Sequence, residues 1–268
     1  MLHLINKHHR DDDISFKEET HEYFFKGEKI PTSVTSFIHM FFSNFNASEQ
    51  AENIIKKKCK NETYERYKNM TKQEIINKWN EDSKKASSYG TKLHADLESF
   101  FNLQDPSILE FKNYKGYQKN YKEYDYFLTF LADKHLESLK PYRTEWMIYS
   151  NSLGIAGSID MLFQSKINEN EFVIYDWKRS KEIKYTNNYS HGKGPVVSLD
   201  DCNYNHYCLQ LNMYKYILET YYNMIVVDMY LLVLHPNYSN YVQIQVPVMK
   251  EYIDNLIHFR KKQLDLNL

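Results

Sequence analysis

Two hydrophobic periods succeed one another along the chain, and the change from one to the other sets the expected architecture. Ile14, Phe16, Tyr23, Phe24 and Phe25 are apolar, and Lys26-Gly27-Glu28 supplies a turn, so a small hairpin is expected over 14–30. Pro31-Thr32-Ser33 stands where a helix cap would, just before Val34-Thr35-Ser36-Phe37-Ile38. Residues 46–86 are rich in Lys, Glu and Asn, and Ile54, Ile55, Ile75, Ile76 and Trp79 recur at helical spacing, which predicts a helical cap. Tyr89-Gly90-Thr91 reads as the opening of a helix through His94, Leu97, Glu98 and Phe101, stopped by Asp105-Pro106. A further amphipathic helix is expected over 118–138.

After residue 140 the period shortens. Residues 142–149, 155–163 and 172–177 are runs of β-branched and aromatic side chains, read as a strand meander with Asn151-Ser152-Leu153-Gly154 as its first turn. A polar loop over about 184–205 contains Gly192-Lys193-Gly194-Pro195, and a helix follows over 207–222. Two strands, 225–234 and 241–246, are joined by His235-Pro236-Asn237, and an amphipathic helix over 248–264 closes the chain. This order predicts an α/β fold: one central mixed β-sheet flanked by helices. The expected division is an N-terminal hairpin and helical cap, 1–87, and a core, 88–268.

Composition changes this picture little. The chain has 268 residues, enough for one substantial core, with 42% apolar and 26% charged residues. Its 24 tyrosines match an AT-rich coding bias as well as any function. A net charge of -1 gives no global basic signature, so binding to nucleic acid would need positive charge gathered locally. Cys59, Cys202 and Cys208 are odd in number and widely spaced, which argues against a disulfide framework or a structural zinc site. Met1 to Asp13 is polar and His-rich, with no signal-peptide core, and is expected to be a solvated end. His8-His9 with Asp11-Asp12-Asp13 is a weaker candidate for a metal site. No run suits a membrane span, and a soluble intracellular protein without membrane partners is expected.

The candidate chemistry lies on the middle strands. Side chains two apart on a strand share a face, so Asp176 and Lys178 point together and Trp177 points into the opposite layer. Asp160 stands within the apolar run Gly157-Ser158-Ile159-Asp160-Met161-Leu162-Phe163, where an unpartnered carboxylate costs several kcal/mol, and a metal ion would relieve that cost. If the two strands are antiparallel neighbours, Asp160 approaches Asp176, and two carboxylates with water suit magnesium. His94 and Glu98 share a helix face, as do Gln210 and Tyr214. Each of these pieces alone fits a structural role.

Taken in order, Gly90-Thr91-x-x-His94, Glu145, Gly157-x-x-Asp160, Asp176-x-Lys178 and Gln210-x-x-x-Tyr214 resemble the RecB-type exonuclease branch of the PD-(D/E)xK nucleases. Lys178-Arg179-Ser180, Gly192-Lys193-Gly194-Pro195 and Asn203-Tyr204-Asn205-His206-Tyr207 are similar to members from large DNA viruses, and 14–45, with Ser33-Val34-Thr35, resembles their lead-in. The resemblance covers about 88–222. It implies a restriction-endonuclease-like core, and His94, Asp160, Asp176 and the Trp177 carbonyl as ligands of one or two Mg²⁺ or Mn²⁺ ions. It makes Lys178 the catalytic lysine and Gln210 and Tyr214 its supporting motif, with Glu145 a further acidic residue of the site. Arg179, Lys181, Lys193 and Ser33 become expected DNA contacts. Some relatives carry an iron–sulfur cluster on four cysteines; with three, this chain is not expected to.

The implied activity is phosphodiester hydrolysis from DNA ends, single-stranded or processed duplex, in replication, repair or recombination. A viral member would work in the host nucleus or cytoplasm. Lys184 and, in the cap, Lys56, Lys57, Lys58, Lys60, Lys84 and Lys85 extend the basic residues available to phosphate, though solvated helix faces explain such lysines equally well. Phe41, Phe42 and Phe45 are either base-stacking or core residues. Three alternatives remain open from the residues: a structure-specific endonuclease on branched or flapped DNA, a non-catalytic DNA-binding or assembly factor, and a hydrolase of small phosphoesters.

Overall fold

A computed structural model describes residues 1–56, 62–103 and 119–265. Lys57, Lys58, Cys59, Lys60 and the Asp105-Pro106 stop lie outside the described residues. The chain divides into two compact units: Asn44–Lys92 and, as the larger, Met1–Ser43 with Leu93–Leu268. The expected 1–87 cap is therefore corrected, because the first 43 residues belong with the strands of the larger unit.

The larger unit is a mixed α/β structure. An antiparallel three-stranded sheet, β1 (Ile14–Lys17), β2 (Glu22–Phe25) and β3 (Glu28–Lys29), extends the expected hairpin by one strand. The main sheet contains β4 (Thr32–Ser33), β5 (Leu139–Ser150), β6 (Ile155–Ser165), β7 (Glu171–Lys178), β8 (Ile225–Val233) and β9 (Val242–Gln245). β4 with β6 and β7 with β8 are parallel; the other pairs are antiparallel. β5 pairs with β6 along its whole length, so the other edge of β6 is shared: β4 takes Ile155 and Ala156, and β7 takes Met161 to Gln164. Gly157 to Asp160 lie at the fork between those two partners.

Helices cover both faces. On one side pack α2 (Val34–His39), α7 (Asn203–Tyr221) and α8 (Lys250–Asp265), around Ile155, Ile159, Leu162, Ile174 and Leu231. On the other, the end of α5 (Lys72–Leu103) and α6 (Lys122–Leu131) pack against Met161, Phe163, Tyr175 and Trp177. Ile159 and Leu162 share one face while Met161 faces the other, so strict alternation fails around Asp160. Glu145, opposite it in the register between Thr144↔Met161 and Trp146↔Ile159, has φ of 42°. A non-glycine residue in this left-handed region carries backbone strain.

Two expectations are revised. The helix expected to open at Tyr89-Gly90-Thr91 is the continuation of α5, which runs unbroken from Lys72. The N-terminus is held rather than solvated: α1 (Leu2–Ile5) buries Leu2, and a 3₁₀ turn (His9–Asp13) sets Asp11 against Arg143 and Trp146, 2.7 and 2.8 Å away. The smaller unit contains α3 (Ala47–Lys56), α4 (Glu62–Tyr67) and α5 up to Lys92, around Ala51, Tyr67 and Ile75. Ile54, Ile76 and Trp79 join that core, whereas Ile55 is exposed. Among the described residues no helix is long and apolar enough to cross a membrane.

Candidate metal centre

The fork in the sheet gathers the charged residues. The antiparallel register Met161↔Tyr175 carries on to bring Asp160 opposite Asp176, at the ends of the paired stretches. Asp160 Oδ2 accepts a hydrogen bond from the Trp177 N–H at 2.8 Å, which ties the carboxylate to the strand it faces. α5 delivers His94 from one side of the sheet, and the strained turn of β5 delivers Glu145. Ligand atoms of His94, Glu145 and Asp160 all lie within 4.8 Å of one another, a set that could hold a metal ion. Among the described residues it is the only such group of three.

The imidazole is oriented at both nitrogens. Nε2 lies 3.0 Å from the Trp177 carbonyl oxygen and donates to it. Nδ1 lies 3.4 Å from Glu145 Oε1 and 3.7 Å from Asp160 Oδ1. The Trp177 carbonyl, expected as a ligand in its own right, is thus the anchor of His94, while the Trp177 indole is buried in the opposite layer, parallel to Phe101. Glu145 Oε2 accepts from the Ser158 hydroxyl at 3.2 Å, and Glu145 Oε1 is buried with no hydrogen bond.

Asp176 is placed beside this set and not within it. Its side chain is 3% exposed, and Oδ2 sits 2.5 Å from the Lys178 ammonium without hydrogen-bond alignment. Lys178 also stands 4.8 Å over the ring of Tyr207, the last residue of the Asn203-Tyr204-Asn205-His206-Tyr207 run. Burial pushes the Asp176 carboxyl up to about 6 against the opposing pull of Lys178. Burial also raises Asp160, with the positive charge of His94 acting against it. Burial alone would lower His94 and Lys178. For His94, Asp160 and Glu145 outweigh burial and raise it to about 9; for Lys178, Asp176 and Asp160 do the same and hold it above its ordinary value.

The residues fit a divalent cation. Glu145, Asp160 and Asp176 face Lys178 and a His94 whose pKa is raised to about 9, which leaves one negative charge over, and two once an ion takes the place of the His94 proton. The buried Glu145 Oε1 has no hydrogen bond, with only the His94 imidazole 3.4 Å away, and such an atom is costly unless something takes its lone pairs. Oxygen-dominated donor sets suit hard divalent ions.

Gln210 and Tyr214 support the site from α7. Gln210 Nε2 donates to the Tyr214 hydroxyl at 2.9 Å and to Thr35 Oγ1 at 3.1 Å. The Tyr214 ring lies over Gly157, where a Cβ would meet Cε1 at 2.6 Å. Gly157 thus serves side-chain packing three residues before Asp160. Tyr23 on β2 is a residue the motifs do not single out: burial raises its phenol to about 12, with Glu145 and Asp160 adding to the rise. Thr35 and Tyr207 belong to the runs Ser33-Val34-Thr35 and Asn203-Tyr204-Asn205-His206-Tyr207, but sequence spacing does not encode their contacts with Gln210 and Lys178.

The expected DNA contacts separate into two groups. Lys181 and Lys193 are exposed in the segment between β7 and α7. Arg179 instead turns back to Glu123 on α6 at 2.7 Å, in an ion pair whose side chains are 12% and 9% exposed, so its role is internal. Ser33 caps α2 by accepting from the Ser36 N–H at 3.1 Å. Phe41 and Phe42 are core residues, while Phe45 is exposed. Cys202 and Cys208 are buried free thiols. No protein-family model matches the chain, and no curated protein matches it.

Proposed function

We propose that this protein is a Mg²⁺- or Mn²⁺-dependent DNA nuclease of the PD-(D/E)xK type, hydrolysing phosphodiester bonds from DNA ends. The observation that carries the reading is the convergence of His94, Glu145 and Asp160 beside a buried Asp176–Lys178 pair. The motif order from Gly90 to Tyr214, which resembles the RecB-type branch, supports the same reading. His94, Glu145 and Asp160 would hold the ion, with Asp176 beside them. A divalent ion bound there supplies Lewis acidity toward a phosphoryl oxygen and lowers the pKa of attacking water.

The chain's own groups do the rest. Lys178 keeps an ammonium in a water-poor site, fixed between Asp176 and the Tyr207 ring, where it can face the negative charge that grows on a reacting phosphate. Asp176 holds that ammonium in place. The Trp177 carbonyl fixes the His94 ring so that Nδ1 faces the carboxylates. Gln210 and Tyr214 hold α7 against the Gly157 end of β6.

The test is digestion of end-labelled single-stranded, duplex and covalently closed circular DNA with Mg²⁺ or Mn²⁺. Linear strands should be degraded from their ends, closed circles spared and chelator should stop the reaction. Nicking of closed circles would move the reading to an endonuclease. Asp176→Ala and Lys178→Ala should each lower cleavage by roughly 10²-fold or more, with circular dichroism unchanged. Wild-type rates in both variants would overturn the site.

A further inference from the structure

The segment that joins β7 to α7 begins at the residue after Lys178 and carries two exposed aromatic rings. Tyr185 is 54% exposed and Tyr189 is 98% exposed. Such rings in water usually belong to a chain end or a loose loop, and here the backbone around them is tied down. The Lys184 N–H donates to Asn203 Oδ1 at 2.8 Å. The Asn187 N–H donates to Asp200 Oδ2 at 2.9 Å, and its side-chain amide to the Asp201 carbonyl at 2.7 Å. Ser190 Oγ donates to Asp201 Oδ2 at 2.9 Å, and the Gly192 N–H to the Leu199 carbonyl at 2.8 Å. At Gly192 a Cβ would meet the Val196 carbonyl oxygen at 2.4 Å, so the loop closes on itself there. The Tyr189 N–H is itself held by Asn187 Oδ1 at 3.1 Å.

The rings connect back to the candidate centre. The Tyr185 ring packs on that of Tyr204, with centroids 4.6 Å apart. Tyr204 lies three residues before Tyr207 on α7, so the two are neighbours on the helix surface. The Tyr207 ring in turn lies at the Lys178 ammonium. Lys181, Lys184 and Lys193 are exposed in the same segment. Among the described residues none of the three ammonium groups is in an ion pair, whereas the acidic Asp200 and Asp201 are taken up by His191, His206 and the loop's own donors.

We infer that this segment is a binding surface for single-stranded polynucleotide: Tyr185 and Tyr189 stack on unpaired bases, and Lys181, Lys184 and Lys193 meet the phosphates. Aromatic faces with interleaved cations suit a strand whose bases are free, since a duplex keeps its base faces stacked inside. A rigid loop presents the rings without an ordering cost on binding. The inference rests on the nuclease reading, and it names the form of substrate led to that site.

The test uses the full-length protein in EDTA, so that binding is read apart from cleavage. Fluorescence anisotropy would follow a labelled oligo-dT 20-mer, an abasic oligomer of the same length and a blunt duplex. Wild type should bind the 20-mer more tightly than either of the other probes. Tyr185→Ala with Tyr189→Ala should weaken binding of the 20-mer by about tenfold per ring and leave binding of the abasic oligomer unchanged. Tyr189→Trp should keep wild-type affinity. Replacing the three lysines by Gln should reduce the salt dependence of binding for both single strands. Tyr189 is too exposed for its replacement to unfold the chain, so unchanged affinity in Tyr189→Ala and in the double variant would overturn the inference. Equal binding of duplex and 20-mer by wild type would overturn it as well. A wild-type protein that binds the 20-mer through these rings yet cleaves nothing with Mg²⁺ or Mn²⁺ would remove the nuclease reading and leave the surface standing.

Discussion

At Gly157 a methyl group has nowhere to go. The nearest atom to an added Cβ would be Cε1 of Tyr214, a ring locked between Gln210 and the core and unable to swing aside. Gly157→Ala is expected to cost about 1–3 kcal/mol through overpacking, read as a lower denaturant midpoint. Unchanged stability would show that the Tyr214 ring yields. Because Asp160 follows three residues later, cleavage should fall further than stability alone explains. Glu145 is the counterpart on β5: its backbone takes up left-handed strain and turns a carboxylate toward His94. Arg179 makes the opposite point. A basic residue next to the Asp-x-Lys run looks like a phosphate contact, and it is taken up by Glu123.

Among the elements, α5 is the one whose start the sequence conceals. Gly90 breaks helical periodicity and reads as a boundary, but an interior glycine costs only about 1 kcal/mol relative to alanine, and 32 residues of otherwise helix-compatible sequence absorb it. A Cβ at Gly90 would meet nothing within 4 Å. Gly90→Ala should therefore raise stability by about 0.5–1 kcal/mol, measured by urea unfolding; a loss would mean that the helix needs its flexibility there. The strands are more legible. β7 and β8 are largely buried and read as apolar runs, and the observed bounds differ from the expected ones by a residue or two. The exception is β6 with β5, where alternation slips around Asp160 and Glu145. That slip belongs to a pair of strands, so neither strand's pattern reveals it.

Over the whole molecule, the N-terminus is the clearest case of long-range order. Asp11 receives hydrogen bonds from Arg143, the His8 N–H and the Trp146 indole. Burial alone would raise its carboxyl, and these bonds outweigh it and hold it below the usual carboxylate range. A depressed folded-state pKa contributes stability that is present above the unfolded value, about 3.9, and lost as pH falls through the folded value. Asp11→Asn should thus lower stability at pH 7 by about 2–4 kcal/mol. The gap between variant and wild type should close below about pH 4, followed by tryptophan fluorescence in urea. A pH-independent gap would assign the loss to packing alone.

Local sequence determined the element types, the mixed sheet between helices and the strand that carries Asp176 and Lys178, because periodicity and chain stiffness act over a few residues. It also marked His94, Asp160, Gln210 and Tyr214 for attention, although each looks ordinary in isolation. Tertiary structure alone decided that Glu145 joins His94 and Asp160, that Asp176 turns to Lys178, that Arg179 pairs with Glu123 and that Met1 to Asp13 is held. Most of these outcomes depend on which charged groups meet after distant parts of the chain are brought together. Desolvation then leaves each buried charge only the partners within reach, and no pattern along the chain records that choice.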